Sequence, residues 1–597
     1  MKRLILLFVI VVIALVNCTI TREPGANAVF KWADQELLTL EKLLLTLDSS
    51  VISNKKLSVL KSQFTQTRFQ YKRIELLVEY YFQGLTKRIN GPALPDIKVE
   101  DGQVWPPHGF QVIEQQLYDN YSLDKNKFIH DEVQLLLTDL RFVRSTLPTQ
   151  PLLDRHAHEI VQHQLIRIVT QGHTGFDSPL AFLSLTESIS SLEGIADFSE
   201  KYFENKSLVD SIQQLITVSS NYISTNNNFN EFDRLYFLRT YLYPISATLL
   251  ASYEPAANDT LFTKPFSGGL IALAKGNFNS DFFVNYASGE FTQEKSNLGK
   301  RLFYETGLSK SKTLSCASCH NPALYFTDGK AKAANFLHGG TLERNTPTLL
   351  YAALQASQFY DMRSVTLEDQ INEVMNNEKE FDLSPAAITV ILNKDSLYRN
   401  EFEKAFPGSN SFGSYEIRNA IASYTRTLIP FSSTFDYYLQ GKSEALSAQA
   451  KKGFNLFMGK AKCGTCHFFP VFNGTVPPWY TKAESEIIGV PQKPIWKNAK
   501  IDTDQGRYEI NKMKELQYSF KTPTVRNAAF TGPYMHNGVY KTLEEVIKFY
   551  EVGGGVDIGI DLPYQTLPFD KLQLSDQDKS DLVEFLKSLT DLSISKR

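Results

Sequence analysis

Cysteine is scarce in this chain, with five in 597 residues. That scarcity excludes a scaffold stapled by disulfides. A strong charge of one sign is also lacking: 62 basic side chains against 65 acidic ones leave a formal charge of −3. A nucleic-acid partner, which calls for a basic patch to neutralise phosphates, is therefore not expected. Long apolar runs are scarce as well. Residues 4–16 form one such run at the start of the chain. No later stretch is long and apolar enough to predict a membrane-spanning helix.

The few cysteines that are present follow a pattern. Cys316, Cys319 and His320 form one C-x-x-C-H segment, and Cys463, Cys466 and His467 form another. This spacing is the attachment signature of a c-type haem. The two thiols add across the haem vinyl groups, and the next residue, an imidazole, is placed to ligate the iron on its proximal side. A lone C-x-x-C would fit a redox pair or half a zinc site. Two copies that both end in histidine, with no further C-x-x-C to complete a zinc site, imply two covalently attached c-type haems.

The fifth cysteine carries the address. Lys2 and Arg3 precede the apolar run, which ends at Asn17 and Cys18. A charged start followed by an apolar segment of this length reads as an export signal. A cysteine directly after the run matches a bacterial lipoprotein signal, in which Cys18 becomes the lipidated first residue. Asn17 departs from that pattern, since a small residue is usual there, and plain secretion with loss of Cys18 is the alternative. Both readings send the chain to an oxidising compartment. The expectation is a periplasmic protein held to the membrane by a lipid anchor.

The length implies several domains. The two motifs divide the second half into haem domains over about 290–430 and 445–592. Residues 19–260 form a preceding region of unknown role, with apolar residues at three- and four-residue spacing. That spacing predicts helices over 32–47 and 72–85, with further helical patterns from about 135, 159, 208 and 232. Proline- and glycine-containing breaks fall at 90–95 and 104–108, and a linker is expected over 258–289. A helical bundle is the simplest packing. His156, His158 and His163 miss the H-E-x-x-H spacing of a zinc protease by one residue and read as polar faces of a helix. The expected fold class is all-α: two cytochrome c-like domains after a helical N-terminal domain.

The flanks of the motifs are specific. LGKRLFY at 298–304 precedes the first motif, and NPALYFTDG at 321–329, RNTP at 344–347 and LEDQ at 367–370 follow it. After the second come FKTPTVRN at 520–527, TGPYMHNG at 531–538, TLEEV at 542–546 and LVEFLKSL at 582–589. In this order around two haems, the segments closely resemble the bacterial diheme cytochrome c peroxidase family. That family includes the diheme enzymes that mature methylamine dehydrogenase by oxidising its tryptophans. The resemblance covers about 290–592 and does not extend to the N-terminal region.

The resemblance implies a division of labour. The first haem, on His320, would be the peroxidatic one, and the second, on His467, the electron-transfer one. In the family a W-D-G-R segment is followed ten residues later by glutamine and twenty residues later by glutamate; Tyr360 starts the matching segment here, with Gln370 and Glu380 in register. Glu380 is then the acid–base group for O–O cleavage, and Gln370 orients peroxide or water. Tyr360 takes the place of the usual tryptophan relay between the haems, and Val374 stands where proline is usual near the distal pocket. His338 lies where peroxidase members carry a reversible distal cap, or is a plain loop histidine.

For the second haem the distal ligand is Tyr550 or Met535. Conventional peroxidases use a methionine fourteen residues after the family histidine, and counting from His536 lands on Tyr550. The methylamine-dehydrogenase-maturing enzymes carry tyrosine there. A phenolate favours ferric and higher states, whereas a thioether gives a high potential. The family also places a calcium ion between the haem domains, which maps to Asn345 through its side chain and to the backbone carbonyls of Thr531 and Pro533. The implied activity is reduction of hydrogen peroxide to water, with electrons from a small c-type cytochrome or cupredoxin. The alternatives are an enzyme that uses peroxide to oxidise residues or a cofactor on a partner protein, and a non-catalytic diheme electron carrier. A pure carrier has no use for a distal acid such as Glu380.

Overall fold

A computed structural model of the protein describes residues 24–253, 268–335, 338–408, 412–567 and 571–594. Cys18 lies outside the described residues. The described chain is all-α apart from two small antiparallel ribbons. None of its helices is long and apolar enough to cross a membrane.

In the N-terminal region, helix Pro24–Ile52 packs on helices Leu57–Tyr81, Asn126–Thr146 and Ser184–Tyr202. Buried Leu37, Leu40, Leu44 and Leu47 form its inner stripe, at the three- and four-residue spacing of one helical face. The single helix expected over 72–85 is two. Phe82 leaves helical geometry at φ −123° and ψ 46°, and the chain resumes as Gln83–Asn90. A ribbon, Asp96–Lys98 paired with Gln103–Trp105, follows the first expected break and runs into the second. Helix Ser184–Tyr202 was not signalled by apolar spacing, because part of the face it buries is serine: Ser184, Ser188, Ser191 and Ser199. The expected linker also contains helix Gly269–Lys275, which packs back onto helices Asp154–Arg167 and Tyr243–Ala251.

The bundle has a charged interior. Arg68 forms a bidentate pair with Glu187, Lys72 reaches Glu75 at 2.6 Å and Asp177 at 2.5 Å, and Arg167 reaches Asp177 at 2.8 Å. All are buried, so each charge depends on its partner to offset desolvation. His158 and His163 do lie on a helix, but that face is buried rather than solvated. Two helices widen into single π-turns, Ile168–Gly172 and Leu238–Leu242.

Each half that carries a C-x-x-C-H segment is closed by a pair of crossing helices. Gln293–Tyr304 crosses Ser414–Arg426 at Gly299, where a Cβ would lie 1.8 Å from the Ala420 carbonyl. Ala448–Phe457 crosses Asp576–Ser588 at Gly453, where a Cβ would lie 2.0 Å from the Asp581 carbonyl. Only glycine permits such an approach. The first domain has its own core around Leu298, Leu302, Phe402 and Ile417. The second divides its core: Ile487, Tyr540, Phe549 and Ile558 form a cluster of their own, while Phe435, Phe454, Phe472 and Phe585 belong to one continuous core with the N-terminal helices.

Candidate functional site

The first C-x-x-C-H segment is one helical turn, Cys316–Cys319. The Ser315 N–H donates to Ser318 Oγ at 3.1 Å and closes its start. His320 leaves the helix, and its Nδ1 sits 3.1 Å from the Phe326 carbonyl. A ring N–H given to that carbonyl leaves Nε2 with its lone pair for a metal. Burial holds the imidazole below its usual range, in the neutral form that ligates. Burial pushes both thiols up to about 12; Cys319 adds to the effect at Cys316, and the Glu380 carboxylate adds to it at both. Such thiols are not the low-pKa thiolates of an exchange pair, and they form no disulfide. Leu298, Leu314, Met375 and Phe381 make an apolar bed around them, with Ile371 and Val374 packed on it. Neutral thiols, a neutral imidazole and an apolar bed fit a covalently held haem.

Glu380 follows helix Leu367–Asn376 in a closed turn. Its N–H donates to the Asn377 carbonyl at 2.9 Å, and Asn377 Nδ2 donates to its carboxylate at 2.6 Å. Burial raises the carboxyl above the usual range, against the opposing pull of Asn377 and Arg363. Its effect on both Cys316 and Cys319 places it within electrostatic reach of the first thiol pair. Gln370 is half-buried on the same helix, one turn before Val374 and therefore on the same face. His338 is exposed in the turn after Asn335, whose side chain accepts its backbone N–H at 3.0 Å.

The second segment is a 3₁₀ turn, Cys463–Thr465, followed by Cys466 and His467. His467 Nδ1 lies 3.0 Å from the Pro523 carbonyl and 3.3 Å from that of Phe472. Burial takes this imidazole down to about 4. Cys463 is pushed up to about 12 by burial, and Cys466 is raised well above the usual thiol range by burial and the Glu486 carboxylate. Tyr550 stands on helix Leu543–Glu551, whose start is fixed by a Thr542–Glu545 capping box. Burial raises its phenol first, and Cys466, Cys463 and Glu486 raise it further. Its ring is thus within electrostatic reach of the second thiol pair. Met535 sits in a loop at φ 72° and packs, partly buried, on the cluster that contains Tyr540 and Phe549.

The seam between the two domains is polar and ordered. Arg344 forms a bidentate pair with Asp504, at 2.6 and 2.9 Å, and also holds Asp361. Tyr360 is next to Asp361. Its carbonyl accepts the Lys521 N–H at 2.7 Å, and its hydroxyl donates to Asn345 Oδ1 at 3.3 Å. Met362, at φ 60°, occupies a left-handed position that glycine adopts more easily. The Asn345 N–H donates to the His536 carbonyl at 2.7 Å, which brings Asn345 to the 531–538 segment. Among the described residues no backbone N–H donates to the Thr531 or Pro533 carbonyl.

Glu486 and Thr174 were not legible beforehand. Glu486 belongs to a two-residue strand, too short to leave a pattern. Thr174, from the N-terminal region, sits where a Cβ on Gly464, the residue after Cys463, would meet its methyl at 3.1 Å.

Comparison with known proteins places these features in context. A family profile described as "Di-haem cytochrome c peroxidase" matches residues 293–444. The methylamine utilization protein MauG of Methylorubrum extorquens is 33% identical over 321 residues, spanning 53% of this chain and 85% of that protein. Cytochrome c551 peroxidase of Pseudomonas aeruginosa is 30% identical over 301 residues, spanning 50% and 79% respectively. A solved MauG-like protein associated with microbial copper homeostasis shares 30% identity, covers 52% of this chain and 93% of that one, and has a TM-score of 0.45.

Proposed function

The chain belongs to the di-haem cytochrome c peroxidase family, and from that premise we propose that it reduces hydrogen peroxide to water at the first C-x-x-C-H site. Electrons come from a small redox protein, a c-type cytochrome or a cupredoxin, and enter through the second site. Membership makes the protein a peroxidase-type oxidoreductase with two c-type haems. When bound at Cys316, Cys319 and His320, and at Cys463, Cys466 and His467, the haems supply the iron chemistry for O–O cleavage and single-electron transfer.

The observation that carries this reading is Glu380, with its acidity weakened by burial and its carboxylate felt by both Cys316 and Cys319. Glu380 takes the proton from one peroxide oxygen and returns it to the other, so that water departs. Gln370 orients the peroxide by hydrogen bonding. Tyr360, in the seam, passes electrons between the domains, and Asn345, Thr531 and Pro533 hold a calcium ion that keeps the seam in register. His338 caps the resting first site from its loop. Export, with a lipid on Cys18, delivers the chain to the periplasm, where c-type haems are attached.

Tyr550 favours a second reading, in which peroxide equivalents oxidise a partner protein. Its ring is within reach of the second thiol pair, and an anionic oxygen ligand favours the higher iron states such an oxidation needs. Tyr550→Phe and Met535→Leu, made separately, decide between the two. A ferric spectrum and potential that move only in the tyrosine variant support the second reading; a change only in the methionine variant supports the conventional peroxidase. The test of the main reading is steady-state peroxide consumption by the two-haem protein with a reduced c-type donor. Donor oxidation at two electrons per peroxide is expected, and no peroxide-dependent donor oxidation would overturn it.

A further inference from the structure

The N-terminal helices meet the second haem-binding domain through side chains that the peroxide chemistry leaves unused. Trp479 lies on the loop after the second C-x-x-C-H segment. Its indole Nε1 donates to the Glu79 carbonyl on helix Leu57–Tyr81 at 3.2 Å. Its ring is 5.4 Å from that of Tyr80 and stands edge-on to His163 at 4.4 Å. Tyr80 donates its phenolic hydrogen to Glu159. Burial, and then that carboxylate, hold the phenol far above its usual range, so it does not ionise on its own.

On its inner side Trp479 is followed by Tyr480, which is buried, and whose hydroxyl donates to the Phe469 carbonyl at 2.9 Å. Phe469 comes two residues after His467. A route of peptide bonds, one ring and one hydrogen bond therefore joins Trp479 to the second proximal ligand. On its outer side Tyr80 is half-buried and makes a T-shaped contact with Tyr81 at 4.9 Å, whose hydroxyl reaches the exposed Pro151 carbonyl at 2.7 Å. The aromatic pair thus runs from near the surface of the N-terminal bundle to the second site. A tyrosine yields an electron readily only when its proton has a defined destination, and here that destination is Glu159.

We propose that Tyr80 and Trp479 form a proton-coupled relay through which electrons from a one-electron donor protein reach the second haem-binding site. The relay rests on the peroxidase reading, in which each peroxide molecule requires two electrons and two protons to become two waters. In each transfer Trp479 gives one electron toward His467 and is refilled by Tyr80. As Tyr80 loses its electron, its phenolic proton moves to the Glu159 carboxylate. The donor then returns one electron to the Tyr80 radical, and the proton comes back from Glu159. The donor is oxidised by one electron per cycle, and Tyr80, Trp479 and Glu159 end unchanged. Because Tyr80 and Glu159 belong to the N-terminal region, that region serves as the electron entry for the haem domains.

The test uses the full two-haem protein. One equivalent of peroxide without donor, followed by rapid freezing, should give an electron paramagnetic resonance signal that narrows with ring-deuterated tyrosine and is lost in Tyr80→Phe. Re-reduction by a reduced small c-type cytochrome should slow by about 10²-fold in Tyr80→Phe and Glu159→Gln, the low end for losing a positioned proton acceptor. It should also carry a solvent deuterium effect that both variants lose. A tyrosine holding the interface only by packing would change neither the signal nor the isotope effect. Parent-like re-reduction in Tyr80→Phe, or a radical signal that survives it, overturns the relay while leaving the peroxidase reading intact. Should the parent fail to react with peroxide, a flash-generated ruthenium(III) oxidant replaces it. The same Tyr80-dependent signal then supports the relay although the peroxidase reading has failed, and its absence overturns the relay as well.

Discussion

The two C-x-x-C-H segments share a pattern and differ in what supports them. The first packs on a core within its own domain, and both of its thiols feel Glu380, in the turn after a short helix. The second is built into the same core as the N-terminal helices; Thr174 abuts Gly464, and Tyr550 and Glu486 face its thiols. On the peroxidase reading, the site that admits a small substrate and moves protons is the one with a buried carboxyl beside its thiols. A site that passes electrons is served by rigid surroundings, which keep reorganisation small. The difference lies in tertiary placement, since the two motifs are equivalent as sequence.

The sharpest way to break this comparison is to remove one site. Replacing Cys316 and Cys319 by serine should abolish peroxide turnover, leave one haem per chain by pyridine haemochrome, and leave the thermal transition of the N-terminal core in place. Loss of both haems would mean that the two sites are not independent. Next in size, Glu380→Gln should keep both haems and lose about 10²–10⁴-fold of peroxide turnover in a steady-state assay. In the parent, turnover should fall as pH drops through the elevated value of Glu380, because the carboxyl is then protonated and cannot take the peroxide proton. The same group makes stability decline with rising pH: the unfolded carboxyl gives up its proton first, so the native state holds more protons across that window. Glu380→Gln should remove both trends, and a parent-like pH profile in this variant would place the titrating group elsewhere.

The shared core can be tested through Arg526, which is buried and paired with Asp436 at 2.9 Å, with a second bond at 3.1 Å. Asp436→Ala leaves that guanidinium buried without its carboxylate and should cost about 3–5 kcal/mol in urea unfolding. The loss should extend to the N-terminal helices if the core is one unit. The smallest effect concerns Asp502. Burial opposes its ionisation, but hydrogen bonds from His536 and Asn537 outweigh this and hold its carboxyl well below the usual range. A depressed value contributes stability above the ordinary carboxylate range that is lost as pH falls. Asp502→Asn should therefore flatten the acid limb of a stability–pH curve without moving its neutral plateau, and a limb as steep as the parent's would assign acid unfolding to other groups.

Much of the haem half was readable in advance because covalent attachment imposes a fixed spacing. Cysteine, cysteine and histidine must lie within one turn, so Cys316, Cys319 and His320 declare themselves. Glu380 and Tyr550 were expected from register with a family, not from their own surroundings: in sequence, N-N-E-K-E at 376–380 looks like a solvated turn. The N-terminal region was legible as helical where leucine repeats every three or four residues. It was not legible where serine lines the buried face of Ser184–Tyr202, or where Phe82 interrupts a continuing apolar pattern. Glu486 against Cys466, Thr174 against Gly464 and Tyr80 beside Trp479 join residues 20 to 399 positions apart. No local spacing rule reaches that far.

The core that spans the N-terminal helices and residues 435–589 sets an order of events during folding. The helices made first find their apolar partners among the segments made last, with the first haem-binding domain emitted in between. Closing so long a loop is slow relative to forming local helices. For that interval Cys463 and Cys466 belong to an unfinished surface, and covalent loading of the second site can precede its enclosure. The first site, whose framing helices Gln293–Tyr304 and Ser414–Arg426 are separated by little more than a domain's length, can mature on its own schedule. A chain that delays its last packing step in this way keeps a window for cofactor attachment without a dedicated opening in the finished fold.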